Sequence, residues 1–235
     1  MKQRRPGQYR TLIILAVAVA ALLIGLIGMS TREASNEYED IQGVQDMRMI
    51  IGGERQLGDR LGSDDAEVQM QVFLDAQSET YRDNFFETIP PLINDQVRSG
   101  DLKLLYRNRS LTRNATELSF YGIEAAMNQN YGWQFAYLMF RNQELAKKVG
   151  LDEEFLTRIA ESIENMEITE WKDDFEEGLE EGSQMNADLQ AQDQIAIDLE
   201  IRDKPAVVVN GPGGTEIVQD APDLDEIEAA IDEVD

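Results

Sequence analysis

The sequence predicts an α/β protein: one sheet with helices on both faces, a helical block inserted into it, and a single apolar helix ahead of both. Two observations carry this. After residue 57 the local patterns run strand, helix, strand, then helices only, then strand, strand, helix. Ahead of them, Leu12 to Met29 reads as 18 residues without a charge or strongly polar group. The chain has 235 residues and 42% hydrophobic content, which suffices for a packed core.

Charge and composition remove much of the functional range. There are 46 acidic against 21 basic residues, a net charge of −25, and no histidine or cysteine. A general nucleic-acid binder needs a basic surface to displace counterions, so no nucleic-acid partner is expected. Disulfides, thiol redox chemistry, imidazole general-base catalysis and ordinary zinc sites are excluded by the missing side chains. No cofactor or metal is expected, because acidic pairs such as Asp64-Asp65 and Asp173-Asp174 lack the spacing and glycine of a calcium loop.

The N-terminus reads as a membrane anchor. Residues 1–11 form a basic tail with Lys2, Arg4, Arg5 and Arg10 and no acid. The apolar run 12–29 covers about 27 Å as a helix, close to the hydrocarbon thickness of a bilayer. It exceeds the apolar region of an ordinary cleaved signal, and Gly28-Met29-Ser30-Thr31 is a poor cleavage match. Everything acidic follows it. The expected arrangement is a single-pass cell-membrane protein with a cytoplasmic N-terminus and an extracytoplasmic domain. Residues 30–56 read as a juxtamembrane stalk, with Met47–Ile51 a short strand candidate closed by Gly52-Gly53.

In the domain at 57–235, Val68, Met70, Val72 and Leu74 alternate as in a half-buried strand. A helix follows from about Glu79 to Arg98, with Phe85, Phe86, Ile89, Leu92, Ile93 and Val97 at helical spacing. Pro90 and Pro91 inside it should kink or split it. Leu102–Tyr106 is a second strand. A helical insertion spans about 113–201, with amphipathic stretches at Glu117–Asn128, Trp133–Val149 and Asp152–Ile163. A longer acidic one, Thr169 to about Glu200, is interrupted near Gly178 and Gly182. Ala206–Val209 and Thr215–Val218 form a hairpin around Asn210-Gly211-Pro212-Gly213-Gly214, and Leu224–Val234 closes the chain as a helix.

Local strings then point to a family. Val72-Phe73-Leu74-Asp75-Ala76-Gln77, followed by Ser78-Glu79-Thr80-Tyr81 and Asn84-Phe85-Phe86, resembles the active-site segment of DsbA-type thiol oxidoreductases. Leu102–Arg107 is similar to the family's second strand, and Glu124–Gln129 with Trp133 and Phe135 to the start of its helical insertion. Asp203-Lys204-Pro205-Ala206-Val207-Val208-Val209-Asn210-Gly211 resembles its cis-proline loop and the strand after it, and Gly62–Ala66 its lead-in to the first strand. The resemblance covers about residues 57–234 and implies a thioredoxin-like fold with an inserted helical subdomain. The two family cysteines match Ser78 and Tyr81. A hydroxyl cannot replace a thiolate in disulfide exchange, so the family's redox activity is not implied.

The residues at this degenerate active site are Ser78, Glu79, Thr80, Tyr81, Lys204 and Pro205, with no catalytic residue among them. Ser78 reads as a helix N-cap, its hydroxyl accepting a first-turn N–H for about 1 kcal/mol. The resemblance implies a cis peptide before Pro205 and an open backbone edge able to pair with an extended peptide. The expected function is a peptide- or protein-binding or scaffolding module with an extracytoplasmic partner. The alternative is a serine-based thiol transferase or isomerase similar to the kappa-type glutathione transferases, with Ser78 orienting the thiol. Glu79 places negative charge where such an enzyme needs an anion. Trp133, Tyr137, Phe140 and Trp171 are expected in the core. Residues 152–200, with 17 acids against Arg158 and Lys172, read as solvated helix faces.

Overall fold

The computed structural model describes residues 40–109 and 117–235. The tail at 1–11, the apolar run at 12–29 and residues 30–39 of the expected stalk lie outside them. Among the described residues no helix is long and apolar enough to cross a membrane.

The sheet is built on β3 (Val68–Leu74) and β4 (Leu102–Asn108), which pair in parallel from Val68↔Leu102 to Leu74↔Asn108. The connection between them is α2 (Glu79–Leu92), as a parallel pair requires. On its other side β3 pairs antiparallel with β5 (Ala206–Gly211), which pairs with β6 (Gly214–Val218). Two short strands, β1 (Gln56–Leu57) and β2 (Arg60–Leu61), extend the β4 edge and give the order β1-β2-β4-β3-β5-β6. Gly211↔Gly214 closes β5 to β6, leaving Pro212-Gly213 as a two-residue turn, tighter than the 210–214 turn read from the sequence.

Both faces of the sheet are covered. Met70, Val72, Leu74, Val207 and Val209 join the main core, whereas Phe73, Ala206 and Val208 meet Ala196 and Ile201 on the opposite face. That two-sided burial explains why Val72, Phe73 and Leu74 are all buried where strict alternation would expose one of them. The C-terminal α9 (Leu224–Val234) is capped by Asp223, which accepts from Glu226 N–H while Glu226 reaches back to Asp223 N–H, a reciprocal capping box.

The insertion is α3 (Glu117–Asn128), α4 (Gly132–Arg141), α5 (Gln143–Val149), α6 (Glu153–Glu161), α7 (Ile168–Leu179) and α8 (Gln184–Asp198). Its core is aromatic: Phe135, Trp171 and Phe175 stack in series at centroid distances of 5.7 and 5.2 Å. Trp171 Nε1 donates to Gly122 O at 3.0 Å, and Trp133 Nε1 to Asp59 O at 2.8 Å. Both indoles are fully buried, and the bonds remove the cost of burying their N–H groups. Tyr137 and Phe140 pack with Phe85 in the same core.

Four expectations change. Met47–Ile51 is not a strand, because α1 spans Val44–Ile50. Met47 and Ile51 are buried, Ile41 and Val44 pack against the core, and Met49 is 68% exposed, a three-to-four residue period rather than alternation. The folded unit therefore begins at Ile41, not at 57. The stretch Trp133–Val149 breaks at Asn142, whose buried amide donates to Leu138 O and Gln42 O and accepts from Gln42 N–H. Finally, of the kink or split expected at Pro90 and Pro91, the split is absent. Helix α2 runs through both to Leu92 and widens to a π-helical turn at Ile93–Val97. Burial of Phe85, Ile89, Leu92, Ile93 and Val97 on the core holds the helix together where two N–H donors are missing.

Candidate functional site

Strand β3 hands over to α2 through a turn that Asp75 organises. Its carboxylate accepts from Gln77 N–H at 2.9 Å and its carbonyl from Ser78 N–H at 3.1 Å, an Asx turn. Ser78 then occupies the N-cap with extended backbone, φ −88° and ψ 128°, but its hydroxyl makes no capping bond. The cap position is as expected and the hydroxyl's role in it is not. The Ser78 carbonyl starts the helix by accepting from Arg82 N–H at 3.0 Å.

The next three residues diverge. Glu79 is exposed and ion-paired with Lys147, which also holds Glu144 at 2.9 Å. Arg82 adds a contact to Glu144 at 3.2 Å. Hydrogen bonds to Glu79 and Glu144 hold Lys147 above its ordinary range, so the negative charge at the helix start is matched by an ammonium. Thr80 is exposed. Tyr81 turns inward, 1% exposed, and its hydroxyl has no partner among the described residues. Burial pushes the phenol well above its ordinary range against the opposing pull of Arg109, with Asp75 and Asp203 adding to the rise. It stays a neutral O–H.

The second half of the site lies beside the first by register. Phe73↔Ala206 pairs β3 with β5, so Pro205 enters its strand next to the end of β3. Arg109 ties the two together: its N–H donates to Leu74 O at 2.7 Å and its guanidinium reaches Asp193 and Asp203, each at 3.4 Å. Lys204 is exposed and points to Asp220 at 3.4 Å. Pro205 is buried and its carbonyl accepts from Ala221 N–H at 2.9 Å. The expected cis bond is absent, since every peptide among the described residues is trans; trans is the intrinsic preference of an X–Pro bond unless packing forces the other isomer.

Sequence reasoning missed three side chains that shape this end of the molecule. Arg109 follows directly on β4, and the parallel register would have located it. Gln143 is buried in α5, and its Nε2 donates to Ala76 O at 2.8 Å and Ser78 O at 3.1 Å. Lys147 lies one helical turn on. Neither α5 residue has a local signal, because each acts on a segment more than 60 positions away.

The arrangement offers hydroxyls, a neutral phenol and paired charges, but no thiol or imidazole; the open backbone edge expected beside Pro205 is taken up, because β5 is paired on both sides. Among the described residues no group of three or more acids could hold a metal ion. Nothing here can exchange a disulfide.

No protein-family model and no curated protein sequence matches the chain. Solved structures do. Oxidised BdbD of Bacillus subtilis is similar with a TM-score of 0.61 at 19% identity, over 77% of this chain and 96% of that one. The α-DsbA1 of Wolbachia pipientis gives 0.60 at 13% identity, over 77% and 90%. Chlamydia trachomatis DsbA gives 0.59 at 13% identity, over 74% and 90%. At these identities the likeness establishes the fold: a DsbA-like thioredoxin fold with its helical insertion, in a chain that has no Cys-x-x-Cys.

Proposed function

We propose that this DsbA-like chain without cysteines is a membrane-anchored, extracytoplasmic binding module that holds an extended peptide or a partner protein. The observation that carries this reading is the retained frame around a site whose reactive pair is gone. Ser78 and Tyr81 stand where a thiol pair would, and the β3–β5 register still brings Pro205 beside the start of α2. A surface between the start of α2 and the loop that enters β5 can bind a segment through shape and exposed polar groups, and needs no thiol. Exposed Thr80 and Lys204 supply contacts on its two sides, and the apolar run 12–29 supplies the anchor.

The test is photo-crosslinking from position 80 in native membranes. A discrete, reproducible partner is the expected result. Silence there, with crosslinks from a probe in residues 170–190, would move the function to the acidic helices.

A second reading rests on the Ser78 hydroxyl, which no capping bond engages and which could orient a small thiol as in kappa-type transferases. It requires saturable binding of low-molecular-weight thiols that Ser78→Ala weakens. No thermal shift with several such thiols would remove it.

A further inference from the structure

A cleft of about 190 Å³ opens between the Asp75–Ser78 turn and helices α4 and α5. Ala76, Met139, Ala146 and Leu151 contribute apolar walls, and Gln77, Gln143 and Lys147 complete the lining. Gln143 is only 4% exposed. Both its amide hydrogens go to the carbonyls of Ala76 and Ser78. Turning the amide over would set Oε1 against two carbonyl oxygens, so its orientation is dictated. Oε1 is left as a buried acceptor with no partner among the described residues, which a donor from a ligand would relieve. Beside the cleft Lys147 holds Glu79 and Glu144, and Arg82 bridges Glu144 to Asp83. Two bases against three acids leave the mouth with little net charge and no unpaired base, in a chain of net −25.

We propose that the cleft is a side-chain pocket for one large apolar residue of an extended, uncharged peptide segment, whose backbone N–H donates to Gln143 Oε1. The inference rests on the peptide-binding reading above and names the ligand for it. The size fits, since a cavity of roughly 150 Å³ holds benzene, so a Leu or Phe side chain can be accommodated. The walls select against charge, because a charged side chain would be desolvated there and the one base in the lining, Lys147, is already engaged by Glu79 and Glu144. The donor requirement follows from the fixed amide: only an N–H or O–H can satisfy Oε1. An extended peptide presents that N–H and its side chain from one residue.

The probe is a blocked pentapeptide, Gly-Gly-Xaa-Gly-Gly, with photo-leucine at the centre, crosslinked to the full chain in detergent and mapped by mass spectrometry. Label is expected on α4, α5 or Leu151, with competition by the Leu and Phe pentapeptides and none by those with Asp or Lys. Ala146→Trp, which fills the cleft, should cut labelling about tenfold or more. A readout that needs no variant is N-methylation of the central residue's amide, which should weaken competition about tenfold, the worth of one hydrogen bond. Label elsewhere, label indifferent to Ala146→Trp in a folded variant, or equal competition by the N-methyl peptide would overturn the pocket. If these peptides label nothing, the pocket assignment falls. The position-80 probe then separates the two readings: a partner captured there leaves the binding module standing, and silence removes both.

Discussion

Glu124, half-buried, is the carboxyl whose environment departs most usefully from water. It lies on α3 under Gln192, whose Nε2 donates to Glu124 Oε1 at 3.0 Å while its Oε1 accepts from Asn108 N–H at 2.7 Å. Burial pushes its pKa up to about 7. The Gln192 bond opposes the rise, Asp188 and Asp59 add to it, and Arg107 opposes it. The folded state therefore holds the proton more tightly than the unfolded chain, where a carboxyl titrates near 4.5. Its stabilising contribution is complete below that lower value and is lost as pH rises through about 7. The shift corresponds to a loss on the order of 3 kcal/mol across that window. Glu124→Gln keeps an acceptor for Gln192 and cannot ionise. Urea unfolding across the range should show wild type losing ground to the variant progressively, with the variant the more stable above neutrality. Parallel stability curves from acid to neutral pH would mean that the carboxylate is solvated in the folded state.

At the scale of elements, legibility followed the range of the forces involved. Strand β3 could be read because Val68, Met70, Val72 and Leu74 alternate within one short segment, and α9 because Leu224, Ile227 and Ile231 repeat at helical spacing. Helix α1 was misread because the apolar residues Met47, Ile50 and Ile51 satisfy two periods at once. The deciding members, Ile41 and Val44, lay in what looked like a stalk. The break at Asn142 had no local signal either: its cause is Gln42, one hundred residues away. The same is true of Gln143 and Arg109 at the candidate site. Asn142 thus joins α1 to the α4–α5 junction with a reciprocal amide pair. Asn142→Leu should preserve most helix content while removing both bonds to the exposed Gln42 backbone, a cost of about 1–2 kcal/mol. The expected signature is local: limited proteolysis should cut faster within residues 40–52 than elsewhere. Uniform acceleration of cleavage across the chain would show that Asn142 holds the whole insertion rather than the attachment of α1.

For the whole molecule the dominant quantity is charge, and α7 concentrates it. Between Ile168 and Leu179 it carries Glu170, Asp173, Asp174, Glu176 and Glu177 against the single base Lys172. Acids three or four positions apart on a helix repel by about 0.2–0.5 kcal/mol per pair, and those near its C-terminus also oppose the helix dipole. The helix persists because Trp171 and Phe175 are fully buried, which outweighs the repulsion. Asp173, Glu176 and Glu177 are exposed, so neutralising them together as D173N/E176Q/E177Q removes four of the repelling pairs without touching the core. Stability should rise by about 1–2 kcal/mol at low ionic strength, and the advantage should shrink as salt is added, because screening already relieves the wild type. Two outcomes separate a solvated face from a working one. If the triple variant is more stable and keeps every crosslink made from position 80, the acidity is a surface property that the fold tolerates. A variant equally stable at all salt concentrations would instead show that cations or neighbouring charges already balance the face. In that case acidity would be part of the folded structure, and self-repulsion would not explain its salt response.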